Sequence, residues 1–538
     1  GLAPLADALA RELEPLVDRE PWVPPEKARM TRYGGRCTID GTLLEFDPWS
    51  PRLHRCARCG ATYDGEEHYR WWIYGYQLWL AERAVHAAVL HALRGDDRHA
   101  ALADSILARY TEQYLRYPNA DNVLGPTRVF FSTYLESIWL LQLCVAADLR
   151  RHAGAESVVQ PFIDRVVEPS VAVLGAYDEG LSNRQTWNAA ALLAAARLRG
   201  DDIAAARHAL GGSGVAGHLM RGLLRDGSWY EGENYHLFAH RALWYGVTLA
   251  ERAGLELPPE GRRRFDEGFA VPFLTALPDF TFPARRDSQH QVSLRQWRFA
   301  ELCELGLART GDARLGAALR TLYDDRVPEG ETGRARSTGE AERNAPAARL
   351  GRADLGWKSL LCARAQLPDA STWSPPPASV LMEGQGFAVL RRDAGRVYIS
   401  LDYGHSGGGH GHPDRLNLML HDGPVRWLDD VGTGSYTDPS LHWYRSTLAH
   451  NAPMLDGQSQ QRADGRLVAW EDRGGAGWVE AEFLEPWAAA LLIRTVVVMP
   501  DYLVDVVSWR GAAGMIDLPV HVQGELHHVE AWHTGEVS

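Results

Sequence analysis

Residues 386–420 read GFAVLRRDAGRVYISLDYGHSGGGHGHPDRLNLML. Within them, 386–391, 396–401 and 416–420 are short runs rich in Val, Leu, Ile and aromatic residues, the texture of β-strands. Between the last two lies Tyr403–Asp414, which holds His405, His410 and His412 among glycines. If this stretch is extended, His410, His412 and Asp414 share one face. Imidazoles and a carboxylate so placed can ligate zinc or move protons, and the glycines let backbone approach a ligand. A polar turn whose histidines only hydrogen-bond is the plainer alternative. More strand-like runs follow at 490–494 and 502–507, with turn signals at Asp422-Gly423 and Asp456-Gly457. Residues 371–538 therefore read as an antiparallel β-sandwich. It has little sign of a closing element before Ser538, so it is expected to be truncated.

Upstream the texture changes. From Trp71 to about Gln366 apolar residues recur at three and four positions, as in 76–93, 130–150, 189–198, 236–253 and 294–309. Ten to twelve helices of ordinary length fit this span, about. Residues 328–352 lack periodicity and read as an exposed loop, and Ser374-Pro-Pro-Pro377 as a linker between domains. The expected division is a small N-terminal segment (1–70), a helical domain (71–370) and the sandwich (371–538), a multidomain α+β chain.

The 538 residues, 45% hydrophobic, are ample for more than one core and argue against disorder. A net charge of -13 with no basic block excludes an ordinary nucleic-acid binder, and no run of apolar residues is long enough to cross a membrane. The start, Gly1-Leu2-Ala3-Pro4, lacks the basic flank and apolar run of a signal peptide, which leaves localisation open, since a leader can be trimmed. Oligomeric state is not legible. Six cysteines are too few for a disulfide scaffold of this size. Cys37, Cys56 and Cys59 cluster early, and Cys56-Ala-Arg-Cys59-Gly60 has the spacing of one zinc knuckle. Asp40 or His54 would complete the tetrahedron; a turn with free thiols is the alternative.

The helical span carries polar clusters of its own: Gly125–Arg128, Ser182–Trp187, Asp226–His236 and Arg285–His290. Taken singly, each is explained by helix capping or ion pairs. Together with Gly409–Asn417, Asp430–Tyr436 and Trp443–Asn451 they resemble the heparinase II/III-like polysaccharide lyases, and in pattern the oligoalginate lyases of that architecture. The resemblance covers about residues 30–538. It implies an incomplete (α/α) toroid followed by an antiparallel β-sandwich, a sugar cleft between them, and cleavage of uronate-containing glycans by β-elimination.

By that resemblance His412, Asp430 and His450 are the zinc ligands and His410 is a catalytic-site histidine. Tyr436 handles substrate or donates a proton, and Asn183 binds the uronate carboxylate. Arg184 stands where the family often has histidine. Arg128 and His236 match the oligoalginate-lyase pattern, which implies exolytic action, while His290 falls where a tyrosine is usual. The base is expected to be His236 or Tyr235, the acid Tyr436 or His290. Arg184, Arg128, Glu233 and Tyr444 join Asn183 as candidate substrate contacts. The substrate is an acidic glycan, either alginate or a glycosaminoglycan such as heparin or heparan sulfate. The competing readings are a glycoside hydrolase on a helical toroid, using Glu231 or Glu233, and a non-catalytic carbohydrate-binding protein.

Overall fold

The structure is a computed structural model that describes residues 1–323, 350–369, 379–436, 438–511 and 514–522. The loop expected at 328–352 lies outside these residues except for 350–352, and so does the linker at 374–377. The chain forms two compact units that interleave along the sequence. One takes in Gly1–Trp229, Tyr235–Phe273 and the described residues from Val292 to 369; the other takes in Tyr230–Asn234, Leu274–Gln291 and the described residues from 379 onward. These are not the contiguous spans read from the sequence: residues 1–70 fold with the helices, and two short pieces of the helical span fold with the sheets.

The first unit is helical. Its opening long helices are α1 (Glu66–Arg94), α2 (Asp97–Gln113), α3 (Thr133–His152) and α4 (Asn183–Arg199). Their ends follow capping chemistry. Gly95 and Gly200 close α1 and α4 in the left-handed region, and Asp96 and Ser182 accept the Arg98 and Gln185 amides at the starts of α2 and α4. Helix α1 packs on α2 and α3, and α3 on α4, so neighbours in sequence are neighbours in space, as in an (α/α) toroid. Nearly every residue of α4 from Gln185 to Ala196 is buried, which its run of alanines permits.

The second unit is a sandwich. Strands β1 (Val380–Met382), β2 (Phe387–Arg392), β3 (Val397–Asp402), β4 (Asn417–Asp422) and β5 (Val425–Leu428) form an antiparallel meander. Strands β6 (Arg466–Asp472), β7 (Gly477–Glu485), β8 (Ala490–Val498) and β9 (Leu503–Arg510) form a second. Their inner faces share one core, with Leu390, Ile399, Leu401 and Leu418 from the first sheet and Val479, Phe483, Leu492 and Val496 from the second. Burial alternates along β7 and β8, as expected of strands with one face in the core. All six residues of β2 are buried instead. The Leu274–Gln291 segment explains this: Arg391 on β2 donates to the Leu274 and Ala276 carbonyls (2.8 and 3.0 Å), and Tyr398 on β3 to that of Thr275 (3.1 Å).

Candidate functional site

The sheet-rich unit gathers its polar side chains around one carboxylate. Asp287 is buried, and each of its oxygens accepts three donors. Oδ1 takes His412 Nε2 (3.0 Å), Arg445 Nε (3.0 Å) and Thr433 Oγ1 (3.3 Å). Oδ2 takes His410 Nδ1 (2.8 Å), the Tyr436 hydroxyl (3.0 Å) and a second Arg445 nitrogen. Burial alone would raise the Asp287 pKa; the His410, His412 and Arg445 donors outweigh it and hold the group well below the usual carboxylate range.

The Gly-rich stretch is not a strand. Gly407 and Gly408 have positive φ (85° and 59°), and Gly408–His410 forms a 3₁₀ turn. The expected shared face of an extended chain is replaced by a curled loop. A Cβ at Gly407 would lie 2.5 Å from Arg286 Cδ, so the close approach itself demands glycine. Arg286, fully buried, donates to the His405 carbonyl (2.6 Å) and anchors the loop. Burial and the neighbouring Arg285 bring the Arg286 pKa down to about 10. His410 Nδ1 faces Asp287, while its Nε2 stands 3.5 Å from Glu231 Oε1. Tyr436 and His410 are partly open to solvent and lie 3.5 Å apart, hydroxyl to Nδ1.

Beside this pair, His412, Asp414 and His450 bring one ligand atom each to within 4.8 Å of one another, all three residues buried. His412 Nδ1 and His450 Nε2 face each other at 3.2 Å. Two nitrogens on one tetrahedral zinc stand about 3.3 Å apart. Asp414 Oδ2 is buried without a hydrogen-bond partner, as a metal-ligand oxygen would be. The residues therefore fit a metal. Asp430, expected as the carboxylate ligand, stands outside this group: its Oδ1 is 3.2 Å from His450 Nδ1 and its Oδ2 accepts from Asn417 (2.8 Å). That is the position of a carboxylate that orients a ligating histidine. Burial lowers the His450 pKa, but Asp430 and Asp414 outweigh it and bring the group up to about 9. Burial lowers that of His412, which Asp287 only partly offsets.

Three further expectations meet partners within this unit. His290 Nε2 pairs with Asp429 Oδ2 at 2.7 Å, an oxygen that also accepts from Arg426 (2.9 Å). Glu233 Oε1 is salt-bridged to the buried Arg285 guanidinium (2.9 Å), while its Oε2 is buried without a hydrogen-bond partner. Tyr444 offers its carbonyl to His450 Nε2 (3.2 Å).

In the helical unit, His236 is buried with both nitrogens engaged by backbone. Nδ1 accepts the Trp229 amide (3.1 Å) and Nε2 donates to the Gly268 carbonyl (2.8 Å). Burial pushes its pKa down to about 4. This geometry is structural and leaves no lone pair for the base role expected of it. Tyr235, one residue earlier, is half-buried. Asn183 is the nearly buried first residue of α4. Arg184 is ion-paired with Glu179 (Nε–Oε2 3.0 Å), and Arg128 donates to the Tyr117 carbonyl (2.9 Å).

Residues 374–486 match the family described as heparinase II/III-like, C-terminal. That stretch is therefore similar to the heparinase II/III-like C-terminal family. It is 22% identical over 414 residues to an exo-oligoalginate lyase of Saccharophagus degradans, covering 70% of this chain and 52% of that protein. The chain thus spans about half the length of the curated relative it matches. Among solved structures it is similar to heparan sulfate lyase HepC of Pedobacter heparinus, with TM-score 0.53, 15% identity, and coverage of 93% of this chain and 73% of that one. It is also similar to heparinase III, with TM-score 0.52, 16% identity, and coverage of 94% and 72%. At those identities the likeness is one of fold, an (α/α) toroid followed by a β-sandwich. The heparinase II/III-like segment contains His410, His412, Asp414, Asp430, Tyr436 and His450; Glu231 and Asp287 lie upstream of it.

Proposed function

We propose that this heparinase II/III-like chain is a polysaccharide lyase that cleaves uronate-containing acidic glycans by β-elimination. The observation that carries the proposal is the convergence of the partly exposed His410 and the exposed Tyr436 on the buried Asp287 carboxylate. The matches to the heparinase II/III-like family and to the exo-oligoalginate lyase support it.

Elimination removes the proton on C5, next to the uronate carboxylate, and expels the oxygen on C4. An ionised carboxylate makes that proton weakly acidic, so hydrogen-bond donors must offset its charge. Asp287 accepts from His410 Nδ1 and so favours the tautomer with Nδ1–H, in which Nε2 is the nitrogen proposed to take the C5 proton. Glu231, 3.5 Å from Nε2, then stabilises the imidazolium. The Tyr436 hydroxyl, which donates to Asp287, is positioned to supply a proton to the leaving oxygen. Tyr235 stands as the alternative base, because His236 has no free nitrogen. His412, Asp414 and His450 are proposed to hold zinc, with Asp430 orienting His450. Bound there, the ion would lock these loops in place rather than activate water, which β-elimination does not need. Similarity to the exo-oligoalginate lyase favours exolytic action on oligosaccharides.

The test is ultraviolet absorbance with alginate and its oligomers, heparin, heparan sulfate, chondroitin sulfate and hyaluronan. Elimination leaves a C4=C5 double bond conjugated to the carboxylate, and absorbance rises. A rise on one glycan establishes the chemistry and the substrate class together. New reducing ends without absorbance would replace elimination by hydrolysis.

A further inference from the structure

The cysteine-bearing segment takes no part in that chemistry. It contains two copies of one turn, Cys37-Thr-Ile-Asp40-Gly41 and Cys56-Ala-Arg-Cys59-Gly60. In each, the glycine amide donates to the carbonyl of the first residue (Gly41 to Cys37 and Gly60 to Cys56, both 2.9 Å). In each, the first residue's amide donates to the carbonyl just past the glycine (Cys37 to Thr42 and Cys56 to Ala61, both 2.8 Å). Both glycines are left-handed, with φ of 71° and 75°. The backbone repeats, and of the two positions in each turn that carry a candidate ligand only the fourth differs, Asp40 in one turn and Cys59 in the other.

We propose that these two turns form a second metal centre, a structural zinc site of three thiolates and one carboxylate: Cys37, Cys56, Cys59 and Asp40. The four residues each bring a ligand atom to within 4.8 Å of the others. Cys37 Sγ and Cys59 Sγ are 3.5 Å apart, and Cys56 Sγ is 3.7 Å from the Asp40 carboxylate. On one tetrahedral zinc, sulfur–sulfur and sulfur–oxygen separations are about 3.8 and about 3.6 Å. The next shell fits as well. The Tyr63 hydroxyl accepts the Thr38 amide (3.0 Å) and lies 3.1 Å from Cys37 Sγ, so its own proton is available to the sulfur. His54, the other possible fourth ligand, stands outside the group; it is buried with its ring edge-on to Trp71 at 5.5 Å.

The site also accounts for how so little apolar material orders this segment. Its local core is Cys37, Leu44 and Cys56, with Tyr63 and Trp71 packed against them. A core of that size does not hold two loops by itself, and small modules commonly add a metal or a disulfide. Trp71 lies on α1, so the centre would fasten the segment to the first long helix of the helical unit.

The test uses the 538-residue chain, reduced and loaded with cobalt(II). Thiolate ligands give cobalt a near-ultraviolet charge-transfer band that imidazole and carboxylate ligands do not, so the His412–Asp414–His450 group does not contribute to it. The band is expected in the parent chain and in H412A, and weakened by at least about one third in C56S. Asp40→Cys should strengthen it by about one third, from three thiolates to four. Because Asp40→Cys adds a ligand, it keeps the test decisive even if C56S does not fold. No band in the reduced chain overturns the proposal. So does a chain isolated without metal, two hydrogens lighter, with Cys37 linked to Cys59.

Discussion

Replacing Asp287 by Asn changes one atom and removes one charge, and the structure gives the cost. Each carboxylate oxygen accepts three donors, drawn from His410, His412, Tyr436, Thr433 and Arg445. An amide keeps an acceptor on one side only. On the other, its NH₂ meets three donors head-on, and the Arg445 charge loses its partner. Removing one member of a buried ion pair costs about 3–5 kcal/mol. The loss should fall on the sheet-rich unit, as an earlier urea transition in a chain whose two units need not unfold together. Turnover should fall by about 10³–10⁴, the scale on which a misoriented imidazole loses its tautomer. The assays are urea unfolding followed by fluorescence and the absorbance assay on whichever glycan the parent cleaves. A stability loss below about 1 kcal/mol together with a rate within threefold of the parent would refute the reasoning, because Asp287 would then neither hold the site nor orient it.

Tyr436→Phe should lower kcat by about 10²–10⁴ with little change in stability, since the ring is exposed and only the hydroxyl is lost; an unchanged rate moves the acid elsewhere. His236→Gln tests the structural reading of that histidine. Its folded pKa, lowered from 6.5 to about 4, means the unfolded chain binds a proton first as pH falls, so stability drops between about 6.5 and 4 by about 3 kcal/mol. The variant should flatten that slope in urea midpoints measured against pH; an unaltered slope assigns it to other groups. Phe483→Ala, in the sandwich core, should destabilise by about 3–5 kcal/mol in calorimetry; a loss under about 1 kcal/mol would mean the two sheets do not share that core.

Regular structure was the most legible part of the sequence. The strand run at 396–401 lies within one residue of β3, and the helix expected at 130–150 falls on α3, because burial on one side imposes a period that apolar residues report. Strands β6 and β7 escaped notice, although Val479, Ala481 and Phe483 alternate inward along β7. The site was legible in its residue types and not in its connections. His410 and Asp287 are 123 positions apart, and no spacing rule joins a helix-flanking cluster to a Gly-rich loop. His236 looked reactive because the partners that occupy it are a backbone amide and a carbonyl, Trp229 and Gly268, whose availability depends on the fold and not on residue type.

The interleaving of the two units has a consequence for how the protein is made and cut. Residues 230–234 and 274–291 leave the ribosome long before the strands they complete, so Arg285 and Asp287 must wait for Asp402, His410 and Arg445 to be synthesised. A fragment cloned from residue 374 onward carries the recognisable family segment yet lacks the carboxylate on which its two histidines turn. A sandwich exchanged by cutting at that boundary would therefore leave Asp287 behind, and His410 and His412 would lose their shared acceptor.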